Sequence, residues 1–138
     1  MRSLFLFLFL CIGASLLSAP NEPGTYQFVG RHLVASYHGC DRAALSNTKR
    51  LAEVLEQACR ASGATILDSC QYRFDGNGLT MVILLSESHA SIHTYPEHGA
   101  CFVDIFTCGH TCSQEKFNTV LQEYLKPTRP NCTYFERK

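Results

Sequence analysis

Residues 79–108 read LTMVILLSESHASIHTYPEHGACFVDIFTC. The run 79–85 is continuously apolar and predicts a central, buried strand. Residues 89–95 alternate between polar and apolar side chains, which predicts a second strand. The segment 96–99 (PEHG) turns the chain into a third strand over 100–106. Upstream, Asp75-Gly76-Asn77-Gly78 is a strong turn signal that follows a predicted strand over 65–73.

Further out, residues 41–61 have helical spacing. Leu45, Leu51, Val54, Leu55 and Ala58 form one stripe, with Lys49, Arg50, Glu53 and Glu56 off it, and Gly63 supplies the stop. A first strand is predicted over 32–37, after a short linker at 21–24. Downstream, Ser113 can cap a second helix carrying Phe117, Val120, Leu121 and Tyr124, which ends before Pro127. A last short strand is predicted over 133–137. The order β-α-β-β-β-β-α-β describes an α+β fold: a mostly antiparallel sheet with two helices on one face.

Composition narrows the class. The chain has 138 residues with 12 Lys+Arg against 12 Asp+Glu, 6 His, 8 Cys and no Trp. This length suits one domain. The neutral balance excludes a phosphate-tracking surface and so argues against nucleic acid. A hydrophobic fraction of 46% with no net charge can fill a core and argues against disorder. Eight cysteines point to an oxidising compartment, a metal or reactive thiols, and composition does not choose among them.

Met1-Arg2 and the uncharged apolar run 4–17 have the layout of a signal peptide, with cleavage expected after Ala19. The alternative is an uncleaved anchor. The expected product is exported, periplasmic or secreted, without membrane association unless the leader is retained. It spans residues 20–138 as a single domain with 11 basic and 12 acidic side chains and seven cysteines.

Between Ser86 and Cys112 lie four of the six His, three cysteines, and Glu87, Glu97 and Asp104. Core strands and tight turns do not ordinarily carry so many ionisable groups. His89, His93, His98, Cys108, His110 and Cys112 are suitable zinc ligands, but paired C-x-x-C knuckles are lacking, and no metal is expected. Ser86, Ser88 and Ser91 lie near His89 and His93. None sits in a G-x-S-x-G elbow, so a hydrolase gains little support.

The stretches Ser86-Glu87-Ser88-His89, Ile92-His93-Thr94-Tyr95-Pro96-Glu97 and Asp104-Ile105-Phe106-Thr107-Cys108-Gly109 closely resemble the bacterial-type S-adenosylmethionine decarboxylases, a family of pyruvoyl enzymes. Gly30-Arg31-His32-Leu33-Val34-Ala35, Gly39-Cys40-Asp41, Phe74 and Gly78 extend the likeness, which runs from about Gly30 to Gly109. Thr80 stands where the family has Ser, Tyr95 where it has Trp, Met81 at a usual Gly and Gly76 at a common Pro.

The resemblance implies a self-processing proenzyme cut between Glu87 and Ser88. The products would be a β chain, 20–87, and an α chain, 88–138, capped by a pyruvoyl group made from Ser88. By the same resemblance His93 accepts a proton during processing, Thr80 assists, and Cys108 donates a proton in catalysis. The pyruvoyl group forms a Schiff base with the substrate amine and needs neither metal nor pyridoxal phosphate. Phe74 and Tyr95 would hold the adenine and sulfonium, and Glu97 the ribose. The implied function is S-adenosylmethionine decarboxylation in polyamine (spermidine) biosynthesis. The implied partner is a second protomer, with sheets packed face to face into an α/β/β/α sandwich and each active site built from both.

The leader sits uneasily with cytoplasmic relatives and a cytosolic substrate. Two alternatives therefore stand: an exported ornithine or arginine decarboxylase of the same family, in which Asp75 meets a basic side chain, and a secreted, disulfide-stabilised binding module without activity. Cys108 is expected to be a free thiol, with at least one pair among Cys40, Cys59, Cys70, Cys101, Cys112 and Cys132. Asn131-Cys132-Thr133 is a glycosylation sequon.

Overall fold

The structure, a computed structural model, describes residues 29–108 and 111–138. The leader, its cleavage position, and Gly109 and His110 lie outside these residues. Six strands, β1 (Gly30–His38), β2 (Ile66–Arg73), β3 (Leu79–Leu85), β4 (Ser88–Tyr95), β5 (Ala100–Cys108) and β6 (Arg129–Arg137), form one sheet in the order β2-β3-β4-β5-β1-β6. Every neighbouring pair is antiparallel. Among the described residues there are three α-helices, α1 (Arg42–Ser46), α2 (Thr48–Ser62) and α3 (Gln114–Leu125), and a single 3-10 turn at Pro96–His98.

The predicted helix over 41–61 is broken into α1 and α2 at Asn47. The sequence there is Ser46-Asn47-Thr48, three residues whose side chains compete for backbone groups and so favour caps over helix interiors. Asn47 ends α1 by donating its N–H to the Ala43 carbonyl at 3.1 Å, and opens α2 by accepting from the Arg50 N–H at 3.2 Å. Asp41 caps α1, Gly63 closes α2 in the left-handed conformation at φ 92°, and Ser113 caps α3, as their sequence positions suggest.

Core packing follows the two periodicities. Leu51, Val54, Leu55 and Ala58 of α2 and Phe117, Leu121 and Leu125 of α3 are buried. Opposite them lie Leu33, Ala35 and Tyr37 of β1, Leu79, Met81, Ile83 and Leu85 of β3, and Cys101, Val103 and Ile105 of β5. The Tyr37 hydroxyl donates to the Asn118 carbonyl oxygen, and the Asn118 amide donates to the Tyr134 hydroxyl at 2.9 Å. This pairing satisfies polar groups that would be costly to bury alone.

With one face covered, the other is open, and this corrects the reading of 79–85 as buried throughout. Val82 is 45% exposed and Leu84 52% exposed, because they point away from the helices. β6 starts at Arg129 rather than at 133 and pairs with β1 along its whole length. Pro130 is tolerated there because β6 is an edge strand. All seven described cysteines are free thiols, so the expected pair among the other six is not formed. They are scattered over helices, sheet faces and edges. Cys40 and Cys101 are neighbours, and a hydrogen bond between their thiols lowers the pKa of Cys40 and raises that of Cys101.

Candidate active site

The sheet register lays the open face out as rows of cross-strand neighbours. One row runs Tyr72, Thr80, His93, Phe102, Ser36, Asn131. The next runs Cys70, Val82, Ser91, Asp104, Val34, Thr133, and the third Leu84, His89, Phe106, His32, Phe135. Thr80, His93, Cys108 and Tyr95 therefore share one face, as period-two alternation along β3, β4 and β5 requires.

At one end lies an aromatic cavity of about 440 Å³ lined by Phe74, Gly76, Gly78, His93, Thr94, Tyr95 and Glu97. The His93 ring stands edge-on to Phe74 at 5.9 Å and to Tyr95 at 4.6 Å between centroids. Its Nδ1 is 2.5 Å from the Thr80 Oγ1. The turn that carries Phe74 is closed by a 2.9 Å bond from the Phe74 N–H to the Gly78 carbonyl. It is tied to β4 by the Leu79 N–H donating to the Thr94 hydroxyl at 2.8 Å. A Cβ at Gly78 would approach the Thr94 carbonyl oxygen to 3.3 Å, so the turn lies close on the strand. Glu97 reaches the rim of this cavity from the 3-10 turn, and its Oε1 is 3.8 Å from the His98 Nε2. Asp75 does not line the cavity.

At the other end of β4 sits the Glu87–Ser88 bond. Ser86 and Glu87 form the turn between β3 and β4, and Ser88 has a φ of 149°, a conformation L-residues rarely adopt. Such a residue stores about 1–3 kcal/mol of backbone strain and persists because its surroundings hold it. Three bonds do so here. The Glu87 carbonyl oxygen accepts from the Cys108 N–H at 2.8 Å, the Glu87 Oε2 accepts from the Thr65 N–H at 2.9 Å, and the Ser86 N–H donates to the Thr65 carbonyl at 2.9 Å. The Ser88 hydroxyl lies 3.0 Å from the Nδ1 of His89.

Cys108 is half-buried and Cys112 buried. The Cys112 thiol is pushed up by burial and by the nearby Glu87 carboxylate, against hydrogen bonds to Thr111 and Thr107 that pull it down. Its contact with Thr107, a core-facing residue of β5, puts Cys112 on the helix side, whereas Cys108 alternates to the open face.

The structure thus brings Thr80, His93, Phe74, Tyr95 and Glu97 together, and Glu87, Ser88 and Cys108 together, but it does not join the two groups within one chain. His93 lies five residues along β4 from Ser88, about 17 Å at the usual rise of a strand. The sequence did not reveal the polar link between Ser91, Asp104 and His32: the Ser91 hydroxyl donates to Asp104 at 2.9 Å, and the His32 Nε2 is 3.5 Å from the same carboxylate. Among the described residues no three His, Cys, Asp or Glu side chains are grouped to hold a metal ion.

The fold is an α+β sheet covered by helices on one side, with a strained serine held at the turn between β3 and β4. A family profile described as S-adenosylmethionine decarboxylase matches residues 31–138, and the chain belongs to that family. It is 41% identical over 109 residues to the S-adenosylmethionine decarboxylase proenzyme of Thermotoga maritima, covering 79% of this chain and 84% of that one. It is 39% identical over 111 residues to the proenzyme of Pyrobaculum arsenaticum, covering 79% and 88%. The crystal structure of the adenosylmethionine decarboxylase from Aquifex aeolicus superposes with a TM-score of 0.73 at 35% identity, over 79% of this chain and 90% of that one.

Proposed function

We propose that the chain is a proenzyme that cuts itself between Glu87 and Ser88 and then decarboxylates S-adenosylmethionine, the reaction that leads into spermidine synthesis. The observation that carries this reading is the geometry at the cut: a serine at φ 149° whose preceding carbonyl is already polarised by the Cys108 N–H. Attack of the Ser88 hydroxyl on that carbonyl makes an ester. Loss of the Ser88 α proton to His93 then eliminates the ester, freeing the Glu87 carboxylate and leaving a dehydroalanine. Its imine tautomer takes up water and loses ammonia to give the downstream chain, 88–138, a pyruvoyl end. Thr80, bonded to the His93 Nδ1, fixes the imidazole for this step.

The pyruvoyl ketone, once formed, supplies the electron sink for loss of carbon dioxide. The chain's own side chains do the rest. Phe74 and Tyr95 present π faces suited to an adenine ring and a sulfonium cation. Glu97 offers a carboxylate to the ribose hydroxyls. Cys108, a free thiol on the open face, returns a proton to the substrate carbon.

The separation of His93 from Ser88 supports a two-protomer site. If two open faces pack together, the cavity end of one chain meets the Ser88 end of the other. Val34, Val82, Leu84 and Phe102 on that face are all at least 36% exposed and gain from being covered. Residues 1–19 are proposed to be a removable export leader.

Intact mass under reducing conditions tests the cut. Two chains meeting at the Glu87–Ser88 bond are expected, and one uncut chain, identical to Ser88→Ala, would overturn the reading. Carbon dioxide release from carboxyl-labelled S-adenosylmethionine, ornithine and arginine then separates the substrates. Turnover of an amino acid alone would replace the substrate and keep the cut.

A further inference from the structure

We propose that His89 is the base that takes the Ser88 hydroxyl proton in the first step of the cut, and that it passes this proton to the departing Ser88 nitrogen. The inference rests on the processing reading above and adds to it, since His93 would act only after the ester exists.

His89 is the imidazole in contact with the nucleophile: its Nδ1 lies 3.0 Å from the Ser88 Oγ. Neither His93 nor His32 of the same chain is placed for this role, and a His93 brought by a second protomer would arrive with its Nδ1 already engaged by Thr80. His93 is engaged with Thr80 at the far end of β4, and His32 faces the Asp104 carboxylate. The His89 ring is also held. It rests against Phe106 at 5.9 Å and 53°, and the opposite flank of Phe106 lies over β1, where a Cβ on Gly30 would come within 2.3 Å of the phenyl ring. The Arg137 guanidinium sits over the Phe106 ring at 4.3 Å. Arg137, Phe106 and Gly30 therefore set the angle at which His89 meets Ser88.

The neutral imidazole protonated at Nε2 leaves the Nδ1 lone pair facing the hydroxyl. The Oγ–H bond breaks and the proton moves to Nδ1, while the oxygen attacks the Glu87 carbonyl carbon. The displaced π electrons go onto the carbonyl oxygen, which the Cys108 N–H holds at 2.8 Å. As that carbonyl re-forms, the bond to the Ser88 nitrogen breaks, and the nitrogen takes the proton back from His89. The result is an ester and a free amine, with His89 restored and no other reactant consumed. Breaking this bond also abolishes the φ torsion that was strained.

The test follows chain cleavage after cell-free synthesis in the wild type, His89→Asn, His89→Phe and His93→Ala, with hydroxylamine added to cut any ester. Asn keeps a hydrogen-bond acceptor near the Nδ1 position but cannot carry the proton, and Phe keeps the packing on Phe106. Both are expected to slow cleavage by about a hundredfold or more and to remain resistant to hydroxylamine. His93→Ala is expected to accumulate a hydroxylamine-sensitive chain. Wild-type cleavage in His89→Asn, or a hydroxylamine-sensitive ester accumulating in it, would overturn the assignment to His89. A cooperative thermal transition matching that of Ser88→Ala separates lost chemistry from lost folding. An uncut wild type defeats the processing reading itself, whereas a cut wild type with equally fast His89 variants defeats only this step.

Discussion

The carbonyl oxygen of Glu87 accepts a 2.8 Å hydrogen bond from the main-chain N–H of Cys108. Cys108 thus has two separable parts, a backbone donor on the carbonyl of the bond proposed to be cut and a thiol on the open face. Cys108→Ser keeps the donor and replaces the thiol. It is expected to be processed to two chains, while decarboxylation falls by roughly 10²–10⁴-fold, the usual worth of a positioned proton donor. Intact mass and carbon dioxide release on the same sample check both halves. An uncut Cys108→Ser chain would assign the thiol to processing as well.

Ser88 and His93 stand at opposite ends of β4, so a site assembled from two protomers can be rebuilt from two defective ones. Ser88→Ala and His93→Ala are each expected to stay uncut when made alone. Co-expressed, they are expected to yield cleavage of the His93→Ala chain only, because its intact Ser88 meets the partner's intact His93. Mass spectrometry of the mixture distinguishes this from a site contained in one chain, which would give no rescue.

A charge on the open face should keep two faces apart. Leu84→Lys places an ammonium on a residue 52% exposed in the single chain, so folding is expected to survive. Light scattering is expected to report a monomer, and chain cleavage to drop at least tenfold. A dimeric, fully processed Leu84→Lys would move the interface elsewhere.

Cys59 is buried in α2, and burial pushes its thiol up from 9.0 to about 12. A raised acid binds its proton more tightly when folded. Its contribution to stability is whole below pH 9 and is lost as the pH rises from there toward 12. Cys59→Ala is accordingly expected to flatten part of the alkaline decline in denaturant midpoint over that range. Under native conditions at pH 8 a maleimide is expected to label exposed Cys70 and spare Cys59.

Phe117 is fully buried in α3. Truncation to Ala in the uncut Ser88→Ala background is expected to lower unfolding free energy by about 3–5 kcal/mol. A urea titration checks this, and a cost below 1 kcal/mol would mean that the core refills the space.

Much of this architecture was legible in the sequence. Alternation at 89–95, the turn at 75–78 and the Ser113 and Gly63 signals predicted β4, the hairpin and two helix ends, because each depends on neighbours in the chain. The break at Asn47 shows in the sequence only as a slip of phase: Leu45 stands six residues before Leu51, a step of roughly 240° that sets it off the stripe of Leu51, Val54, Leu55 and Ala58. Val82 and Leu84 misled for a different reason: an apolar run reads alike whether its second face meets helices or lies open. Pro130 and Asn131 disguised the start of β6, whose partner, β1, is about a hundred residues upstream. At the site, residue types and spacing pointed to Ser88, His93 and Cys108 through family resemblance. The contact between Ser88 and His89 was not legible, because it depends on a backbone twist that spacing does not express.

The strand order has one more consequence. A cut after Glu87 would leave β1, β2 and β3 on the upstream piece and β4, β5 and β6 on the downstream piece, yet β1 lies between β5 and β6. The two pieces are interleaved rather than side by side, and pulling them apart would mean unzipping three ladders at once. Such a nick would give the molecule a new chemical end without loosening its body. A protein severed there would hold that end in place as a clasped pair that no single lost contact releases.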